Sequence, residues 1–302
     1  MPTVCGSRPQ QSPGAIVDVA TWRKDEENPI FPVDSKPKRL LSSPSEVAHP
    51  FLIAGHRYLY KIAQGWREQQ TWSEVIAYEI AKSLSLQVPG AFAAIDSSDG
   101  TMGVLVEFFY GYPQRIRRGQ SFDPGTDRPH SVQMNVRVCS TVGAKEPLQW
   151  WAKTLTFDAL IGNTDRHSQN WGFLVSRIRP EQVDLDLAPI FDNGTSLGYE
   201  FGEARLQKKW TADQIAGYIG KGRHHLSWAP EATSGSQHID LCVDLAKSSA
   251  EASAAAKDVI RLSRRHRTSF APETTQPKHN ERDQIQTKGQ QNQRSQSLSR
   301  RS

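Results

Sequence analysis

The sequence predicts an α+β fold in two lobes: a small strand-rich lobe over residues 16–109, then a linker and a mostly helical lobe over 110–266. Three observations carry that expectation. In the first part, short runs rich in β-branched and aromatic residues surround a single helical repeat. A stretch rich in Gly, Arg and Pro, GYPQRIRRGQSFDPGTDRPHS, follows it. Beyond that stretch, the longest segments are built from strong helix formers.

Residues 1–15 have no apolar run and are expected to be disordered. VDVATW (17–22) reads as a short strand, and residues 25–50, with five prolines, as a long irregular connection. FLIAGHRYLYKI (51–62) reads as a hairpin about an Ala-Gly turn. TWSEVIAYEIAKSLSL (71–86) repeats at helical spacing through Trp72, Val75, Ile76, Ile80 and Leu84, and Val88-Pro89-Gly90 stops it. AFAAI (91–95) and MGVLVEFF (102–109) are strands joined by the turn-rich DSSDGT. In the second lobe, PLQWWAKTLTFDALI reads as a helix buried on much of its surface. WGFLVSRI (171–178) and QVDLDLAPIFD (182–192) form a short ribbon, and residues 238–266 form one or two helices. The last 36 residues, 267–302, hold almost no large apolar side chain and are expected to be disordered.

Composition narrows the function classes. The 302 residues suffice for one large domain or two lobes, and 18 Pro with 21 Gly agree with a large loop content. A net charge of +5 hints at nucleic acid, but residues 267–302 alone hold seven Lys or Arg against three Asp or Glu. The tail therefore carries +4 and the other 266 residues only +1 (5 − 4). A weak nucleic-acid or acidic partner would meet the tail rather than the body. The three cysteines form no CxxC pair, and their odd number argues against a disulfide framework. No segment reads as a signal peptide or a membrane span, so a cytoplasmic protein is expected, with secretion by a route lacking a cleavable signal still compatible.

The chemistry gathers around GNTDRHSQNWGF (162–173), a polar stretch between apolar runs. Phosphate-handling sites need a carboxylate for the nucleophile's proton, oxygen ligands for Mg²⁺, and a cation for nucleotide phosphates. Asp165 can supply the first, and Asn170 with Asp192 of IFDNG can supply the second, because the ribbon returns the chain. Lys61 of YLYK can supply the third: strand alternation puts Tyr58 and Tyr60 on one face, Leu59 and Lys61 on the other. A carboxylate on the following helix, Glu74 or Glu79, can hold Lys61; helical projection sets Glu79 beside the apolar stripe and Glu74 nearly opposite its centre. His224, His225 and His238 lack the tight Cys/His spacing of a zinc site.

Across about residues 51–265, these motifs and their order resemble the HipA-like kinases, the catalytic region of a bacterial toxin kinase family with a bilobal protein-kinase-like fold. GNTDRHSQNWGFL resembles the family's catalytic loop, LAPIFDNGTSL its metal-binding segment, and YLYKI the strand of its ATP-contacting lysine. SEVIAYEIAKSLSLQVPG is similar to a family helix and turn, in a register that selects Glu74 over Glu79. The resemblance implies an ATP- and Mg²⁺-dependent serine/threonine protein kinase, with autophosphorylation. Asp165 would orient the acceptor hydroxyl, Asn170 and Asp192 would bind Mg²⁺, and Lys61 would hold the nucleotide phosphates. His167 matches a loop histidine, a hydrogen-bond hub or phosphate neighbour, and backbone groups near Val106 and Glu107 would meet adenine. The implied partner is a protein with a Ser/Thr acceptor; an antitoxin partner or toxin role does not follow automatically. No Gly-rich or Walker sequence precedes Lys61, which leaves Lys36-Pro37-Lys38 and Ser42-Ser43 as phosphate-loop candidates. The alternatives are a lipid or small-molecule kinase, and a pseudokinase or nucleic-acid-binding effector acting through the basic tail.

Overall fold

The computed structural model describes residues 8–25, 38–62, 65, 68–110, 114–118, 130–179 and 182–266, so the expected disorder of 267–302 lies outside the described residues. Met1–Arg264 cluster as one compact unit and Arg265–Ser302 as a second. The fold is α+β, with a strand-rich lobe followed by a mostly helical one.

The first lobe is a six-stranded sheet in the order β1-β5-β6-β4-β3-β2. Its strands are β1 (Val17–Asp18), β2 (Arg23–Lys24), β3 (Lys38–Ser42), β4 (Arg57–Lys61), β5 (Ala91–Asp96) and β6 (Thr101–Glu107). Only β1 and β5 pair in parallel; the other neighbours are antiparallel. Alternation along β4 is strict. Tyr58 and Tyr60 are fully buried on one face, while Leu59 and Lys61 lie on the other and are half-buried.

Three expectations for this lobe need correction. β4 does not pair within 51–62; its hairpin partner is β3, drawn from the supposed irregular connection. Phe51 and Leu52 are instead core residues of the connecting loop, where Phe51 stacks on Phe92 at 5.0 Å. Ser43 is buried, and its hydroxyl donates to Ile53 and accepts from the His56 N–H at 2.9 Å, so it closes this loop rather than a phosphate loop. Lys38 lies opposite Lys61 in the β3–β4 register, while Lys36 and Pro37 lie outside the described residues. Residues 8–15, expected to be disordered, run along the sheet: the Gln11 amide donates to Ala93 O and accepts from Ala93 N.

Helix α1 (Gln69–Ser83) turns a different face inward than its large apolar residues suggest. Trp72 and Ile76 are exposed, whereas Ser73, Glu74, Ala77, Tyr78 and Ala81 are buried. Small side chains on that face allow close approach to the loop that follows β9, and the buried Glu74 pairs with Lys61 of β4. Hydrophobic spacing alone therefore misplaced the helix by a large rotation.

The second lobe holds α2 (Val132–Thr141), α3 (Pro147–Ile161), α4 (Glu203–Leu206), α5 (Ala212–Lys221), α6 (His238–Ser248) and α7 (Ala250–His266). A three-stranded antiparallel sheet of β7 (Gln114–Arg118), β8 (Gly172–Arg179) and β9 (Gln182–Leu187) joins them. α3 matches its expected bounds, with Pro147 in its first turn and Gly162, at φ +67°, ending it in the left-handed region glycine favours. The expected β8–β9 ribbon is present, although residues 188–192 leave it. β7 and α2 arise in and beyond the stretch read as linker. QRIRR has a single apolar residue, and it becomes a strand only by pairing with β8. The core of the first lobe extends into the second through Phe157, Ile161, Ile190 and Val259, while Trp151, Trp171 and Phe173 centre a separate helical core.

Among the described residues, no helix is long and apolar enough to cross a membrane. The strand pairing that places Lys61 allows a direct test. A Cβ on Gly103 would sit 2.6 Å from the Lys61 carbonyl and 2.6 Å from the Tyr60 ring. Gly103→Ala should cost about 1–3 kcal/mol in urea unfolding, because backbone of a central strand must shift to accept it.

Candidate active site

The site begins where α3 ends. Gly162 reverses the chain, and Asn163, fully buried, donates its amide to Asp158 Oδ1 at 3.0 Å. Asn163 Oδ1 accepts the Asp165 N–H at 3.1 Å, fixing the loop just before the candidate base. The Asn170 amide then donates to the Asp165 carbonyl at 2.7 Å, so residues 165–170 close on themselves.

Arg166 holds this loop from within. It is fully buried, with two nitrogens on the Asp158 carboxylate at 2.7 and 3.0 Å. Its Nη1 donates to the carbonyls of both Asn170 and Phe191, and its Nη2 reaches Asn193 Oδ1 at 2.8 Å. One guanidinium therefore clasps the segments bearing Asn170 and Asp192. Burial alone would raise the Asp158 carboxyl, but the Arg166 charge overrides it and holds Asp158 well below the usual carboxylate range. His224, also buried, adds its Nε2 to Asp158 at 3.2 Å while its Nδ1 accepts the Leu226 N–H.

The first lobe supplies the cation. Lys61 Nζ lies 2.8 Å from Asp192 Oδ1 and 3.5 Å from Glu74 Oε1. Burial would lower its pKa, and the two carboxylates more than reverse that, so Lys61 stays charged. Glu79 pairs instead with Lys82 on the surface. The α1 helix is seated on the Asp192 loop by further contacts: the Ser73 hydroxyl donates to Ser196 O at 2.8 Å, and the Asn193 N–H to Glu74 Oε1 at 3.4 Å. Gly194 permits this approach, since a Cβ there would lie 3.0 Å from both Gln70 O and Glu74 Oε2. Asp192 itself is left-handed, at φ +61°.

Asp165 is 35% exposed at its side chain, which leaves it open to solvent. Its Oδ2 accepts the Thr195 hydroxyl at 3.3 Å, and its Oδ1 lies 3.3 Å from His225 Nε2. His167 stands 3.8 Å from Asp165 Oδ1. Its Nδ1 accepts the Gln169 N–H at 3.2 Å, and its Nε2 is 3.3 Å from the Asn170 amide. Burial lowers the His167 pKa, opposed by the charges of Asp165 and Asp192.

Val106 and Glu107 stand apart from this cluster. Val106 sits in the sheet between Leu59 and Ala91, the Glu107 N–H donates to Gly90 O, and the Phe108 N–H to Arg57 O. The buried Glu107 carboxylate is held by Arg8 at 2.6 Å. The expected adenine contact through these two positions finds no support in this geometry, because their donors and carboxylate are engaged inside the lobe. Conversely, Asp158, Asn163, Arg166, His224 and His225 were not expected as site residues. A lone Asp in the apolar end of α3 was a usable signal, since a buried charge requires a partner. His224 and His225 carried no comparable local signal.

No protein-family model matches this chain, nor does any curated protein sequence. Among solved structures, the Helicobacter pylori proinflammatory kinase CtkA superposes with a TM-score of 0.61 at 16% identity, covering 86% of this chain and 88% of that one. In fold, this chain is similar to CtkA. The protein-kinase-like architecture expected from the motifs is thereby present. A chain of the Shewanella oneidensis MR-1 HipA–HipB–operator DNA toxin–antitoxin complex aligns at 15% identity over 83% of this chain and 68% of that one, with a TM-score of 0.36.

Two measurements check this geometry. Arg166→Leu should lower unfolding free energy by roughly 3–5 kcal/mol in urea titrations, since it leaves Asp158 charged and buried without its main partner. The hydrogen bond to Asp165 raises the His225 pKa above 6.5. Their pairing is therefore complete below 6.5 and is lost as pH rises through the raised value. An NMR titration should find His225 above the ordinary histidine value and His167 below it, with His225 falling back in Asp165→Asn.

Proposed function

We propose that this protein is a serine/threonine protein kinase that uses ATP and Mg²⁺ and also phosphorylates itself. The observation that carries the reading is Lys61, held between Glu74 of α1 and Asp192 of the loop after β9. A strand lysine paired with a helix carboxylate and poised at a second, half-exposed carboxylate is the arrangement that phosphate positioning requires.

The donor set fits a hard divalent cation. Asn170 and Asp192 offer oxygen ligands on segments that Arg166 clasps together, and Mg²⁺ sites commonly use one or two protein oxygens with substrate phosphates. When bound there, Mg²⁺ would neutralise charge on the transferring phosphate. Lys61 would exchange its contact with Asp192 for the nucleotide phosphates, with Glu74 keeping it oriented. Asp165 accepts the proton of the serine or threonine hydroxyl as its oxygen bonds to the γ-phosphorus. The bond from that phosphorus to the bridging oxygen breaks, and ADP leaves with the electron pair. His167 acts as a positioning residue, because its ring braces the Asn170 amide and the loop backbone.

Asp165→Asn should reduce transfer from radiolabelled ATP to a generic protein substrate by about 10²-fold or more, with the fold intact. Asp192→Asn should chiefly abolish the thermal stabilisation given by ATP with Mg²⁺. Normal autophosphorylation by Asp165→Asn would remove the assignment of the base.

A further inference from the structure

Beside the catalytic loop lies a groove of about 810 Å³ that the phosphotransfer residues do not occupy. Its floor is the last turn of α3 together with Gly162 and Thr164, which leads directly to Asp165. One wall is the segment after the Asp192 loop, carrying Phe201, Arg205 and Trp210, and the other is α5 with Tyr218 and Ile219. The two sides of the floor are tied by backbone bonds, Leu197 N–H to Ile161 O at 2.8 Å and Thr164 N–H to Thr195 O at 3.4 Å.

The charge of the lining is one-sided. Arg205, Lys208, Lys209, Lys221 and Arg223 face a single carboxylate, Glu200, so the lining carries +4 (5 − 1). That carboxylate is already engaged with the Tyr218 hydroxyl, whose pKa rises to about 12 through burial and the Glu200 charge. Two of the cations are fixed in place: the Arg205 guanidinium sits 4.0 Å from the Phe201 ring centroid, and Arg223 donates to Gly235 O at 2.9 Å. Apolar surface lies between the charges, with Leu160 46% exposed on the floor and Ile219 42% exposed on the α5 wall. Ile215, one turn before Ile219 on α5, is 46% exposed as well.

We propose that this groove binds an acidic segment of the protein substrate, with apolar side chains among its carboxylates, and presents its hydroxyl to Asp165. The proposal rests on the kinase reading above and names its substrate class. Charge complementarity selects the occupant. The chain's own tail, at +4, would be repelled. Single-stranded nucleic acid is less well suited, because base stacking needs open ring faces. Here Phe201, Trp210 and Tyr218 pack on one another at 5.2, 5.3 and 5.9 Å between centroids, and Arg205 covers Phe201.

The test is fluorescence anisotropy on the full chain without nucleotide, using serine-containing peptides of equal length. One carries glutamates between leucines, one has glutamine in place of each glutamate, and one has lysine; a single-stranded oligouridine serves as competitor. The acidic peptide should bind tightest, and a Lys208→Glu, Lys209→Glu, Lys221→Glu variant should bind it roughly tenfold or more weakly. These three side chains are exposed, so the thermal midpoint of the variant should match that of the parent. Equal binding of the three peptides, or tighter binding of oligouridine, overturns the proposal. Adding ATP and Mg²⁺ separates the two readings. Acidic-peptide binding without phosphate transfer keeps the groove and removes the kinase; equal transfer to all three peptides keeps the kinase and removes the groove.

Discussion

The guanidinium of Arg166 is the contact on which the candidate site depends. Two segments separated along the chain, one ending α3 and one following β9, have no regular secondary structure to hold them together. Two backbone hydrogen bonds, Leu197 N–H to Ile161 O and Thr164 N–H to Thr195 O, join them, and the buried cation adds donors to carbonyls on both segments while Asp158 balances its charge. Such a pair is expensive to bury, and its removal by halves is more damaging still. Its benefit is geometric: the segments bearing Asn170 and Asp192 are held in fixed relation while the Asp165 and Asp192 carboxylates stay partly exposed.

The first lobe meets this hub through α1, and here the physical logic differs. Lys61 meets Asp192 through charge, while the core shared through Phe157, Ile161, Ile190 and Val259 and the close backbone approach that Gly194 allows seat the lobe. Lys61, Glu74 and Asp192 form a triad in which the lysine is over-supplied with carboxylates. That surplus of negative charge opposes a bare anion and would be relieved by a cation.

Much of this was legible in the sequence, and the limits were physical ones. α3, the β8–β9 ribbon and the alternation of β4 followed from periodicity because each buries a regular apolar face. Asp165, Asn170, Asp192, Lys61 and Glu74 were singled out as candidates by the chemistry their residue types imply and by motif resemblance, and the fold gathers Lys61, Glu74 and Asp192. The orientation of α1 was not legible, because Trp72 and Ile76 face outward and a buried glutamate occupies the inner face. β3 was hidden by the prolines around it, and β7 by its arginines. His224 escaped because its partner Asp158 is distant in sequence, as are Phe191 and Asn193 from Arg166, and the Glu107 carboxylate accepts from Arg8, far upstream.

Asp192 adds a consequence for how such a site can decay. Its left-handed backbone is tolerated by few residues, chiefly glycine and, among the rest, asparagine and aspartate. Both asparagine and glycine codons are a single base change from those for aspartate. The chain thus stands one point mutation away from losing its second carboxylate while keeping its loop unstrained, α1 seated and its surface groove intact. On the kinase reading proposed above, a lineage that needed only the groove could shed phosphate transfer by that route without first losing the fold.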